Sequence, residues 1–263
     1  MTKATKYLLN TQELSIGYQG KNLVEVVAKN IHIQFQEGEL IAVIGVNGSG
    51  KSTLIKSLSK IIQPIKGEVF IENININELN EKQLSNLISL VLTKQPISKQ
   101  LKVHELIALG RHPYTNWIGM LTQEDKRMIQ KAIQQVGISE LKNKSCDELS
   151  DGQFQKVLIA RALAQDTPLI ILDEPTTHLD MYHKAQVLHL LKSIAASTKK
   201  CIVFASHEIN LALKMCHQIV LVHEGKIIQG SPEELVQQKV LHQLFPENLI
   251  YFDETSKSFS VRV

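Results

Sequence analysis

A glycine-rich loop between an apolar run and a helical segment limits this chain to few folds. The loop is Gly45-Val-Asn-Gly-Ser-Gly-Lys51-Ser52, which matches the pattern GxxxxGK[ST]. It follows the apolar run 39–44, which predicts a buried strand. It precedes residues 52–62, whose apolar side chains recur at helical spacing. The sequence therefore predicts a strand–loop–helix unit of an α/β protein.

The chemistry of this loop is that of a phosphate cradle. Glycines allow backbone N–H groups to converge on phosphate oxygens, and the following helix N-terminus adds positive potential. Lys51 can reach the β- and γ-phosphates, and the Ser52 hydroxyl can ligate Mg²⁺. The alternative is a chance match in a glycine-bearing turn. The predicted nucleotide-binding residues of the loop are Gly45, Asn47, Gly48, Ser49, Gly50, Lys51, Ser52 and Thr53.

Two acidic residues follow a second apolar run, Leu169–Leu172. An aspartate at the carboxyl end of a buried strand, here Asp173, can hold Mg²⁺ directly or through water. Glu174 can then orient and deprotonate an attacking water. The alternative is a strand end whose acids face solvent. Beside the phosphate loop, the pair predicts metal-assisted hydrolysis of a nucleotide.

The composition and net charge of the chain limit the kinds of partner that we expect. The chain has 263 residues, 43% of them hydrophobic, which suits one large α/β domain or a domain with an insert. A net charge of +3 is too weak to indicate nucleic-acid binding. The three cysteines form no CxxC pair and predict free thiols. With neither a signal-peptide core nor a run of 18 apolar residues, we expect any membrane role to come through a partner.

Weaker patterns complete the predicted organisation. Residues 8–35 predict short strands, because Ile31, Ile33 and Phe35 alternate with polar residues. Residues 95–147 have a helical character and predict an insert. A further strand at Ile202–Ala205 and a hairpin at 219–228 follow. Ser231 has the features of a helix N-cap, and residues 249–263 predict a terminal hairpin.

Leu149-Ser150-Asp151-Gly152-Gln153 resembles the LSGGQ signature, which separates ABC ATPases from other phosphate-loop enzymes. Ser150 is a good N-cap and Gly152 exposes backbone N–H groups, so this is a second anion site; the alternative is a plain serine-capped helix. The family usually has glycine where this chain has Asp151. The resemblance implies tolerance of the acid, because the family contacts come mainly from the serine and the second glycine.

The resemblance assigns further residues. It implies that Tyr18 stacks on adenine, that Gln95 contacts Mg²⁺ and the attacking water, and that Gln153 belongs to the nucleotide-binding signature. Residues 176–180, with Asp180, resemble the D-loop that crosses a dimer interface. His207 resembles the switch histidine that contacts the γ-phosphate and steadies Glu174. The alternatives are a core or surface tyrosine and a satisfied core histidine; the other histidines, including His183 and His189, are expected on the surface.

The fold that the resemblance implies is a phosphate-loop ABC cassette, with a mixed sheet core, an antiparallel β subdomain and a helical insert subdomain. A single domain would span residues 1–263: a RecA-like core with the antiparallel subdomain at about 1–94 and 165–263, and the helical subdomain at about 95–164. It would bind ATP and Mg²⁺ and act as a head-to-tail homodimer, because the signature docks onto nucleotide held by the other subunit.

The segment Gly110-Arg111-His-Pro113, followed by 116–119 and 123–125, is similar to the helical insert of cassettes that serve siderophore–iron, haem and vitamin B12 importers. This implies a permease, a substrate-binding protein and a peripheral position on the cytoplasmic membrane face. Apolar residues between 101 and 107 line a permease groove or simply form core. One rival is a soluble ABC ATPase of cytosolic assembly, such as iron–sulfur cluster assembly. Another is a nucleic-acid ATPase, which the weak charge disfavours.

Overall fold

The computed structural model describes residues 7–20, 23–92, 98–246 and 248–262. Its strands are β1 (Leu9–Gln19), β2 (Val24–Ile31), β3 (Gln34–Phe35), β4 (Leu40–Ile44), β5 (Lys66–Ile71), β6 (Ile74–Asn75), β7 (Ile88–Val91), β8 (Leu169–Asp173), β9 (Cys201–Ser206), β10 (Gln218–His223), β11 (Lys226–Gly230), β12 (Ile250–Asp253) and β13 (Ser258–Val261). Its α-helices are α1 (Lys51–Leu58), α2 (Glu81–Ser85), α3 (Val103–Ala108), α4 (Gln123–Val136), α5 (Asp151–Ala164), α6 (Met181–Thr198), α7 (Ile209–Met215) and α8 (Pro232–Gln237).

A six-stranded sheet in the order β11-β10-β4-β9-β8-β7 forms the centre of the molecule. Its strands pair in parallel except for β10 and β11, which form an antiparallel hairpin. Strands β4 and β9 are buried along their whole length. The carboxyl ends of β4, β8 and β9 therefore open at one edge, and the phosphate loop, Asp173-Glu174 and His207 follow these three strands.

The alternation of side chains along these strands divides the core in two. On β4, Leu40, Ala42 and Ile44 face a cluster that includes helices α5, α6 and α7. Ile41 and Val43 face a second cluster, which contains α1 and the antiparallel sheet. A parallel sheet covered on both faces needs apolar residues at every strand position, which explains the uninterrupted apolar runs in the sequence.

The second sheet is antiparallel, in the order β2-β1-β5-β6, with β3 paired to β1. Leu9 faces Phe35 across one pairing and Ile71 across the other. The predicted short strands of residues 8–35 are thus present, and Ile31, Ile33 and Phe35 are buried as their alternation indicated.

Helices α3, α4 and α5 pack together beside the parallel sheet, joined by a 3₁₀ helix at Leu109–Tyr114. Arg111 is buried there: its Nε donates to Asp125 Oδ1 at 2.8 Å and its Nη1 to the carbonyl oxygen of Ala164 at 2.8 Å. A Cβ on Gly110 would lie 2.2 Å from the carbonyl oxygen of Arg161, so only glycine allows this close approach. The Gly110-Arg111 pair therefore anchors the insert on α5. Val103, Leu106 and Ile107 are fully buried and form core rather than an open groove.

The C-terminal hairpin, β12 and β13, packs on α7. Asn210 joins them twice: its side-chain amide donates to the carbonyl oxygen of Phe259 at 3.1 Å, and its amide oxygen accepts from the backbone N–H of Phe259 at 2.7 Å. Phe259 also contacts the rings of Phe245 and Phe252. Among the residues described, no helix combines the length and the apolar character needed to cross a bilayer.

Candidate active site

The phosphate loop turns tightly from β4 into α1. Gly45, Gly48 and Gly50 have φ angles of +156°, +76° and +109°, and a Cβ on Gly45 would lie 2.2 Å from the carbonyl oxygen of Val222. A Cβ on Gly50 would lie 2.3 Å from Val27 Cγ1. At Gly45 and Gly50 both the backbone conformation and the available space therefore demand glycine. The loop leaves the Ser49 hydroxyl oxygen buried with no hydrogen-bond partner in the described chain, which suits a loop that receives a ligand.

The amine of Lys51 closes the loop. Its Nζ donates to the carbonyl oxygens of Gly45 at 2.9 Å and Val46 at 3.0 Å. The side chain is buried, and this burial lowers the pKa of the amine, whereas the nearby Glu174 and Asp173 carboxylates act in the opposite direction. A cation held in place here needs little further ordering to bind a phosphate.

Ser52 and Asp173, the residues predicted to bind Mg²⁺, lie side by side. The hydroxyl of Ser52, in the first turn of α1, donates to Asp173 Oδ1 at 3.1 Å. The residue numbers differ by 121, so the pairing of β4 and β8 around β9 brings them together. Both groups offer hard oxygen ligands. Within the described ranges no cluster of three histidine, cysteine or acidic residues surrounds a metal position; Mg²⁺ usually takes one or two carboxylates plus phosphate and water.

Glu174 is held at both carboxylate oxygens. Oε1 lies 2.5 Å from His207 Nε2, and Oε2 accepts from the Thr177 hydroxyl at 3.1 Å. An ionised carboxylate only accepts hydrogen bonds, so with Glu174 ionised the proton of His207 is on Nε2. The φ of Glu174 is +50°, a left-handed conformation that is costly for a residue with a Cβ. The hydrogen bonds with Thr177 and His207 help to hold the residue in this conformation.

Tyr18 lies beside the phosphate loop. Its hydroxyl is 3.0 Å from the Thr53 hydroxyl, and 46% of the residue is exposed. An exposed ring next to the first turn of α1 is available to stack on a flat ligand. The tyrosine is therefore neither a core residue nor one remote from the loop.

The signature segment forms the N-terminus of α5. Ser150 is its N-cap: Ser150 Oγ accepts from the backbone N–H of Gln153 at 3.3 Å, and Gln153 Oε1 accepts from the backbone N–H of Ser150 at 3.1 Å. Gln153 is thus committed to capping the helix. Ser150 and Asp151 are exposed, whereas Gly152 is buried. The ring of His183 packs closely on Gly152, because a Cβ there would lie 3.0 Å from Cδ2 of His183.

A cavity of about 280 Å³ lies between the end of β8 and helix α5. Asp173 and Glu174 line one side, and Asp151, Phe154 and Gln155 of α5 line the other. Gln95, the remaining predicted catalytic and metal residue, lies outside the described residues. Asp180 caps α6, its carboxylate accepting from the backbone N–H of His183 at 2.9 Å.

Sequence reasoning did not single out two residues of this region. Thr177, whose hydroxyl donates to Glu174, lies in the D-loop segment 176–180, which the sequence analysis assigned as a unit. A hydroxyl three residues after Glu174 was the signal that could have identified it. His183 was expected to be an ordinary surface residue, but its ring packs on Gly152 and bonds to Asp180. No pattern in the sequence pairs residue 183 with residue 152, so only the tertiary structure reveals that contact.

The fold and the site together define a phosphate-loop nucleotide hydrolase with a helical insert, and known proteins narrow the class. A family model described as ABC transporter matches residues 28–177. The achromobactin transport ATP-binding protein of Dickeya dadantii is 34% identical over 90% of this chain and 87% of that protein. The ferric enterobactin transport ATP-binding protein of Escherichia coli is 33% identical over 94% of this chain and 90% of that protein.

Solved structures agree. An inward-facing metal-chelate type ABC transporter matches 97% of this chain and 95% of its own with a TM-score of 0.77 at 26% identity. A dimeric ATP-binding cassette in a post-hydrolysis state with ADP and Pi matches 85% of this chain and 98% of its own, with a TM-score of 0.72 at 27% identity. The chain belongs to the ABC transporter family and is an ATP-binding and ATP-hydrolysing cassette. The predicted fold class and family are confirmed.

Proposed function

We propose that this cassette energises the uptake of a metal chelate, of the iron–siderophore, haem or cobalamin type, through a membrane permease. Relatives named as ATP-binding proteins of achromobactin transport, petrobactin import and ferric enterobactin transport support the substrate class. Within the chain, support comes from the segment 110–113, whose pattern is similar to that of these importers. Its Arg111 has a structural role, because it forms a buried ion pair with Asp125. The cassette would lie peripherally on the cytoplasmic membrane face, and a substrate-binding protein would complete the system.

The observation that carries the proposed mechanism is the convergence of Lys51, Ser52, Asp173, Glu174 and His207 at one sheet edge. ATP phosphates would lie against the loop amides and Lys51, with the adenine on Tyr18. Ser52 and Asp173, with Gln95, would hold Mg²⁺, which supplies neutralisation of phosphate charge when bound. His207 would orient Glu174, whose remaining lone pairs accept the proton of the attacking water.

The cassette would work as a head-to-tail homodimer. The signature N-terminus, with Ser150 and Gly152, has the backbone N–H groups of an anion site, and it would bind the γ-phosphate held by the partner's loop. Asp180 and its D-loop would cross the same interface. Dimeric cassettes among the solved structures support this arrangement. Closure with ATP and opening after hydrolysis would then drive the permease.

The first test is Glu174→Gln in the full chain. The amide keeps the shape of the side chain but cannot take a proton, so we expect ATP-dependent dimers that turn over at least about 100-fold more slowly. Size-exclusion chromatography with and without ATP, together with phosphate release, measures both properties. Glu140→Gln, an exposed acid on the insert, is the matched control and should behave like the native chain. Normal hydrolysis by Glu174→Gln would contradict the assigned role.

The second test concerns the partner. We expect affinity purification of the tagged chain from detergent-solubilised membranes to recover a multi-spanning integral protein. ATP-dependent uptake of ferric siderophore, haem or cobalamin by proteoliposomes that contain this complex would then define the cargo. Recovery of soluble partners alone would favour the rival function, an ATPase of a cytosolic assembly complex.

A further inference from the structure

His183 lies where the two segments that would face the partner subunit meet. It is in the first turn of α6, directly after the D-loop, and its ring covers the backbone of Gly152 at the tip of α5. A Cβ built on Gly152 would lie 3.0 Å from Cδ2, 3.4 Å from Cγ and 3.7 Å from Cβ of His183. The ring therefore packs closely on Gly152, and a larger residue at position 152 would require it to shift by a few tenths of an ångström.

The same imidazole is fixed by the D-loop. Its Nδ1 lies 2.9 Å from both carboxylate oxygens of Asp180, and Asp180 also accepts from the backbone N–H of His183 at 2.9 Å. The hydrogen bonds from the backbone and then the side chain of His183 hold the pKa of Asp180 below its ordinary value. An ionised carboxylate only accepts, so Nδ1 carries the proton. The edge of the Tyr182 ring, 5.5 Å away between centroids, contacts His183 from the neighbouring position.

We propose that His183 is a positioning residue that ties the D-loop to the signature tip, so that both dock on the partner's nucleotide as one rigid edge. The tie has a polar end at Asp180 and a packed end at Gly152. Gly152 is helical, a conformation that any residue adopts. Its small size suits both the packing of the His183 ring and the exposure of backbone N–H groups at the proposed anion site. The inference rests on the head-to-tail dimer of the proposed function.

The positioning role separates two steps of the cycle. The groups that would bind ATP within one subunit, Lys51, Ser52 and Tyr18, are hydrogen-bonded to Val46, Asp173 and Thr53. We therefore expect binding of ATP to the monomer to be independent of the tie. Dimerisation does depend on the tie, because each subunit presents Ser150 and Asp180 to its partner together. Loss of the ring leaves each segment to be ordered separately on docking, which weakens association.

The experiment uses the full chain in the Glu174→Gln background, in which ATP-dependent dimers accumulate. We expect His183→Ala to bind a fluorescent ATP analogue at low protein concentration as tightly as its parent, but to dimerise about tenfold more weakly in sedimentation velocity. His183→Asn, which keeps a donor for Asp180, should recover part of the loss. His189→Ala, on the exposed side of the same helix, is the matched control and should dimerise like its parent.

A double-mutant cycle tests the packed end. Gly152→Ala should displace the His183 ring by a few tenths of an ångström and weaken dimerisation, and adding it to His183→Ala should cost less than adding it to the Glu174→Gln parent. Additive losses, or unchanged dimerisation by His183→Ala, would overturn the proposal. So would weakened ATP binding by the monomer or a loss of thermal stability that accounts for the defect. If the Glu174→Gln parent itself forms no dimer with ATP, it is instead the proposed function that fails.

Discussion

Glu174 combines a strained backbone conformation with a proposed catalytic role. Glu174 adopts φ +50°, and its carboxylate lies between Thr177 and His207. Such strain persists only where surrounding contacts over-determine it. The neighbouring β8 and the two hydrogen bonds supply those contacts, so the carboxylate is aimed before any substrate arrives.

Glycine usually destabilises a fold relative to alanine, but the strain at Glu174 predicts the opposite order at this position. We expect Glu174→Gly to be more stable than Glu174→Ala by about 1 kcal/mol, because glycine has no Cβ to strain at positive φ. Urea denaturation measures the difference. The control position is Glu124, inside helix α4: there both variants lose the ion pair with Arg127, and glycine should be the less stable because the backbone is helical. Equal stability of the two Glu174 variants would mean that the backbone is unstrained.

At the scale of elements, the insert is held by an ion pair removed from water. Arg111 and Asp125 have side-chain exposures of 7% and 3%. Burial raises the pKa of the Asp125 carboxyl, but hydrogen bonds from Thr122 and Arg111 outweigh this effect, so the pKa lies below its ordinary value. The pair joins the 3₁₀ segment to α4, and the Ala164 carbonyl extends the link to α5.

Breaking this pair predicts a large loss of stability. We expect Asp125→Ala to cost about 3–5 kcal/mol in the free energy of unfolding, because Arg111 would remain charged and buried. Arg127→Ala is the control: it removes the exposed Arg127–Glu124 pair of the same helix and should change stability by less than about 1 kcal/mol. Comparable losses of stability in the two variants would show that burial does not increase the contribution of the Arg111–Asp125 pair.

The same carboxylate predicts an acid dependence. A pKa lowered in the folded state gives stability that is complete above the ordinary pKa of 3.8 and is lost as pH falls through the folded-state pKa. Asp125→Asn cannot titrate, so its free energy of unfolding should depend less on pH than that of the native chain below about pH 4. Denaturant titrations over a pH series measure this slope; identical slopes would contradict the assignment.

Another element, the C-terminal hairpin, depends on one side chain. Asn210 makes both hydrogen bonds that tie Phe259 to α7. Asn210→Ala should lower stability by about 1–3 kcal/mol and raise amide exchange in β12 and β13, because it leaves the N–H and carbonyl of Phe259 without these partners. Ser256→Ala, in the exposed hairpin turn, is the control. Unchanged exchange in the hairpin would show that aromatic packing alone holds it.

For the molecule as a whole, the thiols report on cooperative folding. Cys146, Cys201 and Cys216 are free thiols, and all three are buried. Burial raises the pKa of Cys201 well above its ordinary value and that of Cys216 to about 12, and it also raises that of Cys146. The reactive thiolate is therefore scarce at neutral pH.

Maleimide labelling should consequently follow global unfolding. We expect no cysteine of the native chain to react at neutral pH, and all three to react with a common dependence on urea, because they lie in the two connected cores. Mass spectrometry of labelled peptides resolves each site. Fast labelling of Cys146 alone, in the insert, would instead show that this part of the molecule opens separately.

The sequence by itself determined the family and most of the site chemistry, because those residues are local. The phosphate loop, Asp173-Glu174, the signature and His207 each lie on a short segment whose spacing dictates its geometry. The sequence analysis also assigned Ser52 and Asp173 to Mg²⁺, each from its own segment, and the order of strands in the sheet brings the two side chains together. The tertiary structure decided what depends on distant partners. Strands β5 and β7, in a stretch where the sequence analysis assigned no element, exist through pairing with β1 and β8. The burial of Arg111 and the packing of His183 on Gly152 likewise arise from segments that meet only when the chain is folded.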